Sequence, residues 1–318
     1  MKKILIIQTA FIGDVILATG LIESLHKAYP DAKIDFLLRR GNESLFKEHP
    51  FLNKVIVWEK QSGKIKSLLN IIQTLRRDNY DLLINLQRFF SSGLISWFAR
   101  AQEKRGFDKN PFSFSYHLKL KHEIGKGHET ERNFALLKGL DSVSYAKPKL
   151  YPTPADFEKT KGFKTKTYVC MAPASVWFTK QLPLAKWVEL IKSISEDKKI
   201  FLIGAPSDSQ LCNEIALLAE HSGVENLCGK LSLTASAALM KDAEMNYVND
   251  SAPLHLASAV NAPVTAFFCS TVPSFGFGPL SDIAIIQQVS HLDCRPCGLH
   301  GYRQCPRGDF RCGYKMEV

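Results

Sequence analysis

The sequence predicts an α/β protein built as two Rossmann-like domains facing an interdomain cleft. Three observations predict it. Apolar runs of strand length alternate with amphipathic helix-length segments, the pattern of a parallel sheet covered on both faces. The alternation breaks between about Lys147 and Lys166, where Pro148, Pro152, Pro154 and a run of lysines mark a linker, and then it restarts. At 318 residues the chain is too long for one ordinary core and fits two domains, expected at 1-155 and 156-318.

The elements follow from periodicity. Lys3–Gln8 reads as a strand. Gly13–Lys27 reads as a helix, with Val15, Ile16, Ala18, Leu21, Ile22 and Leu25 on its apolar side. Strands follow at Lys33–Leu38 and Lys54–Trp58, then an amphipathic helix at Lys64–Asp78. Asp81–Leu86 is a strand and Gly93–Ala101 a short helix. After the linker, strands are expected at Tyr168–Ala172, Lys199–Ile203, Met245–Val248 and Val264–Cys269. Helices are expected at Leu184–Ser195, Ser209–His221, Leu233–Met240 and Leu254–Val260.

Composition narrows the class. A hydrophobic share of 45% with 23% charged residues is that of a globular protein, and no apolar run reaches bilayer length. Met1-Lys2-Lys3 before Ile4–Ile7 resembles the start of a secretion signal. The apolar run stops at Gln8-Thr9, however, with no small-residue cleavage pattern beyond, so a buried first strand and a cytoplasmic location are expected. The net charge of +10 favours an anionic partner: nucleotide, nucleic acid or anionic lipid. Its clusters are Arg39-Arg40, Lys60–Lys66, Arg76-Arg77, Lys119–Lys126 and Lys159–Lys166, read chiefly as solvated faces. No helix-turn-helix, RNP-type or zinc-finger pattern supports nucleic acid.

Four loops after strands carry the candidate chemistry. Gln8–Asp14 lacks the G-x-G-x-x-G fingerprint, which disfavours a nicotinamide dehydrogenase. In it, Gly13 permits a tight turn and Asp14 opens a helix, either as a plain cap or as a base for an acceptor hydroxyl. Ala172–Pro183 carries Lys180, a point charge for a diphosphate, with Ser175 and Thr179 offering hydroxyls to the same oxygens. Gly204–Asp208 places a carboxylate where it either caps the next helix or holds ribose hydroxyls. The fourth loop is Asn249-Asp250-Ser251-Ala252-Pro253-Leu254-His255, where N-cap residue types precede a proline. Strand, capped loop and helix point backbone N–H groups and a positive dipole end at a phosphate. Asp250 offers its carboxylate to sugar hydroxyls, and His255, inside the helix, is given a supporting role at most.

Together these loops resemble glycosyltransferase family 9, the lipopolysaccharide heptosyltransferases. The resemblance rests on Ile12-Gly13-Asp14-Val15, on Pro173-Ala174-Ser175 with Lys180 and Leu182-Pro183, and on Asn249 to Ala257. Leu86-Gln87 and Arg105-Gly106-Phe107 add to it. It implies a two-domain GT-B fold and an inverting transfer of a sugar, typically heptose, from an ADP-sugar to a lipopolysaccharide core or other glycolipid acceptor. By position it implies Asp14 as general base and Lys180 as the donor-phosphate lysine. Asp208 would contact the ribose and Asp250 the donor sugar, with the backbone at Ser251, Ala252, Pro253 and Leu254 lining the phosphate pocket. Gly13, Gln87 and Arg88 fall on the acceptor side, and peripheral attachment to the inner membrane is compatible with the charge. Ala252 stands where the family usually has Gly, which predicts a reshaped turn, and Gly20 replaces a usual proline.

A diphosphate leaving group met by Lys180 and a helix start needs no metal, and no DxD pair stands on a loop, so no cofactor is expected. GT-B architecture also serves nucleotide-sugar epimerases, which need no acceptor site. The basic, aromatic first half, with Arg88, Phe89, Phe90, Lys119 and Lys121, favours transfer. Of the eight cysteines, Cys294, Cys297, Cys305 and Cys312 crowd the end. Only one C-x-x-C is present, so reduced thiols are favoured over a structural metal.

Overall fold

The computed structural model describes residues 2–60 and 63–318. Met1 of the signal-like start, and residues 61 and 62 within the Lys60–Lys66 basic cluster, lie outside the described residues. The chain divides into two compact units, Met1–Tyr151 and Pro152–Val318.

Unit 1 contains β1 (Lys3–Ile7), α1 (Ile12–Ala28), β2 (Lys33–Arg39), β3 (Leu52–Trp58), α2 (Lys64–Leu75), β4 (Asn79–Asn85), α3 (Phe90–Phe98), β5 (Arg100–Phe107), β6 (Leu118–Leu120) and α4 (Glu129–Ala135). Its six strands pair in parallel in the order β3-β2-β1-β4-β5-β6. The central strands are apolar on both faces, as a doubly covered parallel sheet requires. Leu5, Ile7, Leu37 and Leu83 pack against Trp58, Tyr80, Ile95 and helix α2.

Unit 2 contains α5 (Pro154–Lys161), β7 (Tyr168–Ala172), α6 (Leu184–Ser193), β8 (Lys199–Leu202), α7 (Ser209–Ala219), β9 (Val224–Asn226), α8 (Leu233–Lys241), β10 (Met245–Asn249), α9 (Ala252–Ala259), β11 (Val264–Phe267), β12 (Ala284–Gln287) and α10 (Arg311–Tyr314). Its sheet runs β12-β11-β10-β7-β8-β9, again all parallel. Counted within each unit, both sheets have the strand order 3-2-1-4-5-6 of the Rossmann fold. Trp187 stacks edge-on against Phe267 at 5.5 Å in the centre of this core.

The expected linker is not a loose tether. Residues 146–151 are strapped to α1: Ser24 Oγ accepts from Ala146 N at 3.1 Å, Thr19 Oγ1 accepts from Lys149 N at 2.9 Å, and Tyr151 donates to Glu23. Gly20 lets this strap approach, since a Cβ there would lie 2.8 Å from the Ala146 carbonyl. Residues 154–161 form a helix whose start is fixed by a capping box between Thr153 and Asp156. Proline at the first helical position, misread as a breaker, is a helix-start signal here.

The helix expected at Gly93–Ala101 ends at Phe98, and Arg100–Phe107 is a strand. Its sequence, RAQEKRGF, has little strand propensity, and pairing with β4 overrides it. Edge strands β6, β9 and β12 are three or four residues long and carry no readable alternation.

Candidate active site

A doubly wound sheet opens a crevice at the carboxyl ends of its strands where the strand order reverses. In unit 1 that point lies between β1 and β4; in unit 2 it lies between β7 and β10. The loops after these four strands hold most of the candidate residues.

In unit 1, Gly13 and Asp14 lie in the first turn of α1, directly after the β1 loop. Phe11 occupies the N-cap position with no side-chain cap bond, and the nearby backbone amides of Asp14 and Phe11 favour the charged Asp14 carboxylate slightly. Burial, reinforced by the negative charge of Glu129 and opposed by Arg88, pushes its carboxyl up to about 6. Gln87 is buried and donates through Nε2 to Gln8 Oε1, which ties the β4 loop to the β1 loop across the switch point. Asn110 holds the same loop by donating to the Gln87 carbonyl at 2.9 Å.

Behind Asp14 lies a buried cluster that the sequence reading missed. Glu129 accepts from Arg132 Nη2 at 2.7 Å and faces His122 Nε2 at 3.0 Å. Burial alone would raise the Glu129 carboxyl, but His122 and Arg132 outweigh it and hold it below the ordinary value. Glu129 and Arg132 sit on α4, whose His128–Glu131 capping box is a local helix-start pattern, and His122 comes from the loop after β6. Arg105, part of the family-like Arg105-Gly106-Phe107, is buried and bonds to the Leu136 and Lys138 carbonyls, a packing role.

In unit 2, Lys180 Nζ lies 2.7 Å from Asp250 Oδ2, joining the β7 and β10 loops across the second switch point. Both side chains are shielded from solvent. Thr271 Oγ1 donates to the same Oδ2 at 2.6 Å, and among the described residues Oδ1 has no bond. Asn249, at the end of β10, clips the β7 loop in place. Its Oδ1 accepts from Leu182 N at 2.9 Å and its Nδ2 donates to the Pro173 carbonyl at 2.7 Å. Asn249 opens the fourth loop's motif, and an Asn at a strand end is the one sequence signal of this clip.

Other members of the predicted site are already engaged. The buried Thr179 hydroxyl accepts from Tyr302 N at 2.7 Å, so it holds the tail loop and is not turned to a ligand. Ser175 contributes its carbonyl, which accepts from Gln181 Nε2 at 2.7 Å. Asp208 accepts from Ala205 N at 2.8 Å and from Ser207, closing its own turn after β8. Helix α9 begins at Ala252, two residues before the expected Leu254, and Ala252 is helical rather than in the positive-φ turn that a Gly would serve. Ser251 is the N-cap by position but makes no side-chain cap bond. Leu254 N already donates to Ser251 O at 3.0 Å and Pro253 has no N–H. The amides of Ser251 and Ala252 are the helix-start donors without an acceptor among the described residues. His255 is buried beside Phe277, ring centroids 6.4 Å apart.

Cys294, Cys297, Cys305 and Cys312 all line one cavity of about 240 Å³, together with Thr179 and Ser270. All are free thiols. Burial and their mutual proximity push Cys312 up to about 11 and raise Cys297. Among the described residues, no three His, Cys, Asp or Glu side chains are grouped as a metal ion would need. No helix of the described residues is long and apolar enough to cross a membrane.

Known proteins match this architecture. The family described as Glycosyltransferase family 9 (heptosyltransferase) matches residues 68–303. The chain is 30% identical to lipopolysaccharide heptosyltransferase 3 of Escherichia coli over 282 residues, covering 82% of each chain. It is 25% identical to lipopolysaccharide heptosyltransferase 2 of Escherichia coli K12 over 336 residues, covering 99% of this chain and 94% of that one. Among solved structures, Escherichia coli ADP-heptose lipopolysaccharide heptosyltransferase II superposes with a TM-score of 0.79 at 24% identity, covering 93% of this chain and 95% of that one. Its fold is thus GT-B.

Proposed function

Because this chain belongs to glycosyltransferase family 9, the heptosyltransferases, and is a glycosyltransferase of lipopolysaccharide core synthesis, we propose that it transfers heptose from ADP-heptose to a core sugar with inversion. Unit 1 would supply the acceptor-side groups and unit 2 the donor-side groups. The observation that carries this reading is the distribution of charge over the two switch points: a raised-pKa carboxylate in one unit, a shielded Lys180–Asp250 pair in the other.

In this reading Asp14 removes the proton from an acceptor hydroxyl, and that oxygen attacks the anomeric carbon of the donor. A base with a pKa of about 6 is ionised at neutral pH yet still basic enough to take a proton as the nucleophile forms. The bond to the diphosphate breaks and negative charge grows on the leaving phosphate. Lys180 spends one of its three N–H donors on Asp250 and has two left for that charge. The open amides of Ser251 and Ala252, at the positive end of α9, add to it. Asp250, held by Thr271 and Lys180 through one oxygen, keeps Oδ1 for a sugar hydroxyl. Gly13, Gln87 and Arg88 would line the acceptor side. Asp208 retains its cap role and meets the ribose only if the turn opens. Work on a lipid-anchored acceptor would bring the chain to the inner face of the inner membrane.

A panel of nucleotide diphosphates and nucleotide sugars, screened by thermal shift without added metal, tests the donor. A ligand at a hundred times its Kd stabilises the native state by about 2.7 kcal/mol, a readable rise in Tm. A rise confined to ADP and ADP-heptose is expected. A rise with UDP or GDP species alone would refute the ADP-heptose reading.

A further inference from the structure

Helix α3 presents its residues the wrong way round for an ordinary surface helix. Its buried residues are Ser92, Gly93, Ile95 and Ser96. Its exposed positions are Phe90, Trp97 and Phe98, spaced i, i+7 and i+8 on one side of the helix, while Leu94 packs against the core. The small inner residues let the helix sit tightly: a Cβ on Gly93 would lie 2.1 Å from Asn110 Oδ1. The large rings are left outside.

Those rings are exposed, with Phe90 at 61%, Trp97 at 44% and Phe98 at 40%, and Phe114 joins them at 67%. They touch one another through Phe112. Its ring centroid is 5.2 Å from Phe90, 5.4 Å from Trp97 and 5.9 Å from Phe114. Isolated exposed rings are ordinary, whereas a contiguous aromatic patch marks an interaction surface.

The surrounding charge says what covers it. Residues 88–126 hold eight Lys and Arg against three Asp and Glu, a net +5 that is half the charge of the whole chain. Lys104 Nζ donates to the Trp97 carbonyl at 2.8 Å and Arg100 lies two residues past the end of α3; further along the same stretch, Lys109, Lys121 and Lys126 act on Glu123. Trp and Phe anchors among Lys and Arg are the composition of elements that lie in the headgroup region of an anionic bilayer.

We propose that the Phe90–Trp97–Phe98–Phe114 stripe and its basic surround dock unit 1 on an anionic membrane surface. The proposal rests on the reading above that the acceptor is lipid-anchored. It adds which face meets the lipid. The apolar rings supply insertion and the lysines supply attraction to anionic headgroups, so binding requires both.

The test uses the full chain and phosphatidylcholine vesicles with or without phosphatidylglycerol, free of any glycolipid. Cosedimentation is expected with the anionic vesicles, weakening as salt screens the lysines. The double variant Trp97→Ser, Phe98→Ser should bind at least about tenfold more weakly, since each ring loses more than a methylene's worth of burial. Its turnover on a water-soluble, deacylated acceptor should stay unchanged. In the unaltered chain, brominated lipid should quench tryptophan fluorescence, and Trp97→Phe should abolish that quenching. Unchanged vesicle binding by the double variant, or quenching that survives in Trp97→Phe, would overturn the proposal. So would concentration-dependent self-association that the double variant abolishes, because a second copy would then be the occupant. Vesicle binding without acceptor does not depend on the donor, so failure of the heptosyltransferase reading would show in the turnover assay alone.

Discussion

A carboxylate in the first turn of α1 can be a cap or a base, and its ionisation separates the two. In the unfolded chain the Asp14 carboxyl titrates near 3.8; in the folded chain burial, then Glu129, moves it to about 6. Between those values the folded state holds the extra proton, so this residue's contribution to stability falls as pH rises through that window. Asp14→Asn is therefore expected to stabilise the fold at neutral pH by about 1–3 kcal/mol, measured as a rise in urea midpoint. A pure cap would leave the midpoint nearly unchanged, because the Asn side-chain oxygen accepts the same backbone N–H. The same carboxyl must be ionised to act as a base, so kcat/KM should climb through about pH 6 and level off above it. A profile flat from pH 5 to 8 would take the base role away from Asp14. On the donor side, Lys180→Ala leaves Asp250 shielded and without its cation. Donor KM should rise and kcat fall together, and an unchanged donor affinity would count against the phosphate role.

At the scale of elements, the switch-point loops are held by clips rather than by packing alone. Asn249 fastens the β7 loop through Leu182 N and the Pro173 carbonyl. Asn249→Ala orphans both backbone groups and is expected to cost about 2–3 kcal/mol of stability, read from chemical denaturation, and to raise donor KM more than it lowers kcat. Equal kcat and KM values with lost stability would make Asn249 a purely structural residue. Thr153 caps α5 with its hydroxyl accepting from Asp156 N. Thr153→Ala should cost about 1 kcal/mol and leave donor and acceptor kinetics untouched. Together the two variants separate loop positioning from general destabilisation.

At the scale of the whole molecule, the alternation of strands and helices was legible because the central strands are buried on both faces, and KILII and YVCMA read as strands unaided. The Lys180 and Asp250 loops stand out in the sequence because each follows a strand, but their ion pair does not: no local spacing shows that two loops 70 residues apart meet. The Glu129–His122–Arg132 cluster was invisible for the same reason. Strand β5 was missed because its partner β4, not its own residues, makes it a strand. The bond from Tyr302 N to the Thr179 hydroxyl was hidden for the same reason, since its partners are more than 100 residues apart. The exposed rings of α3 were not legible, because which side of a short helix is buried is a tertiary fact. The central proposal is that Asp14 in unit 1 and the donor groups of unit 2 serve a single transfer. Turnover of Asp14→Asn with ADP-heptose and a deacylated core acceptor, at saturating donor and beside the unaltered chain, tests it most directly. The account predicts a loss of about 10²–10⁴-fold in kcat with donor affinity retained. Turnover close to that of the unaltered chain would contradict it.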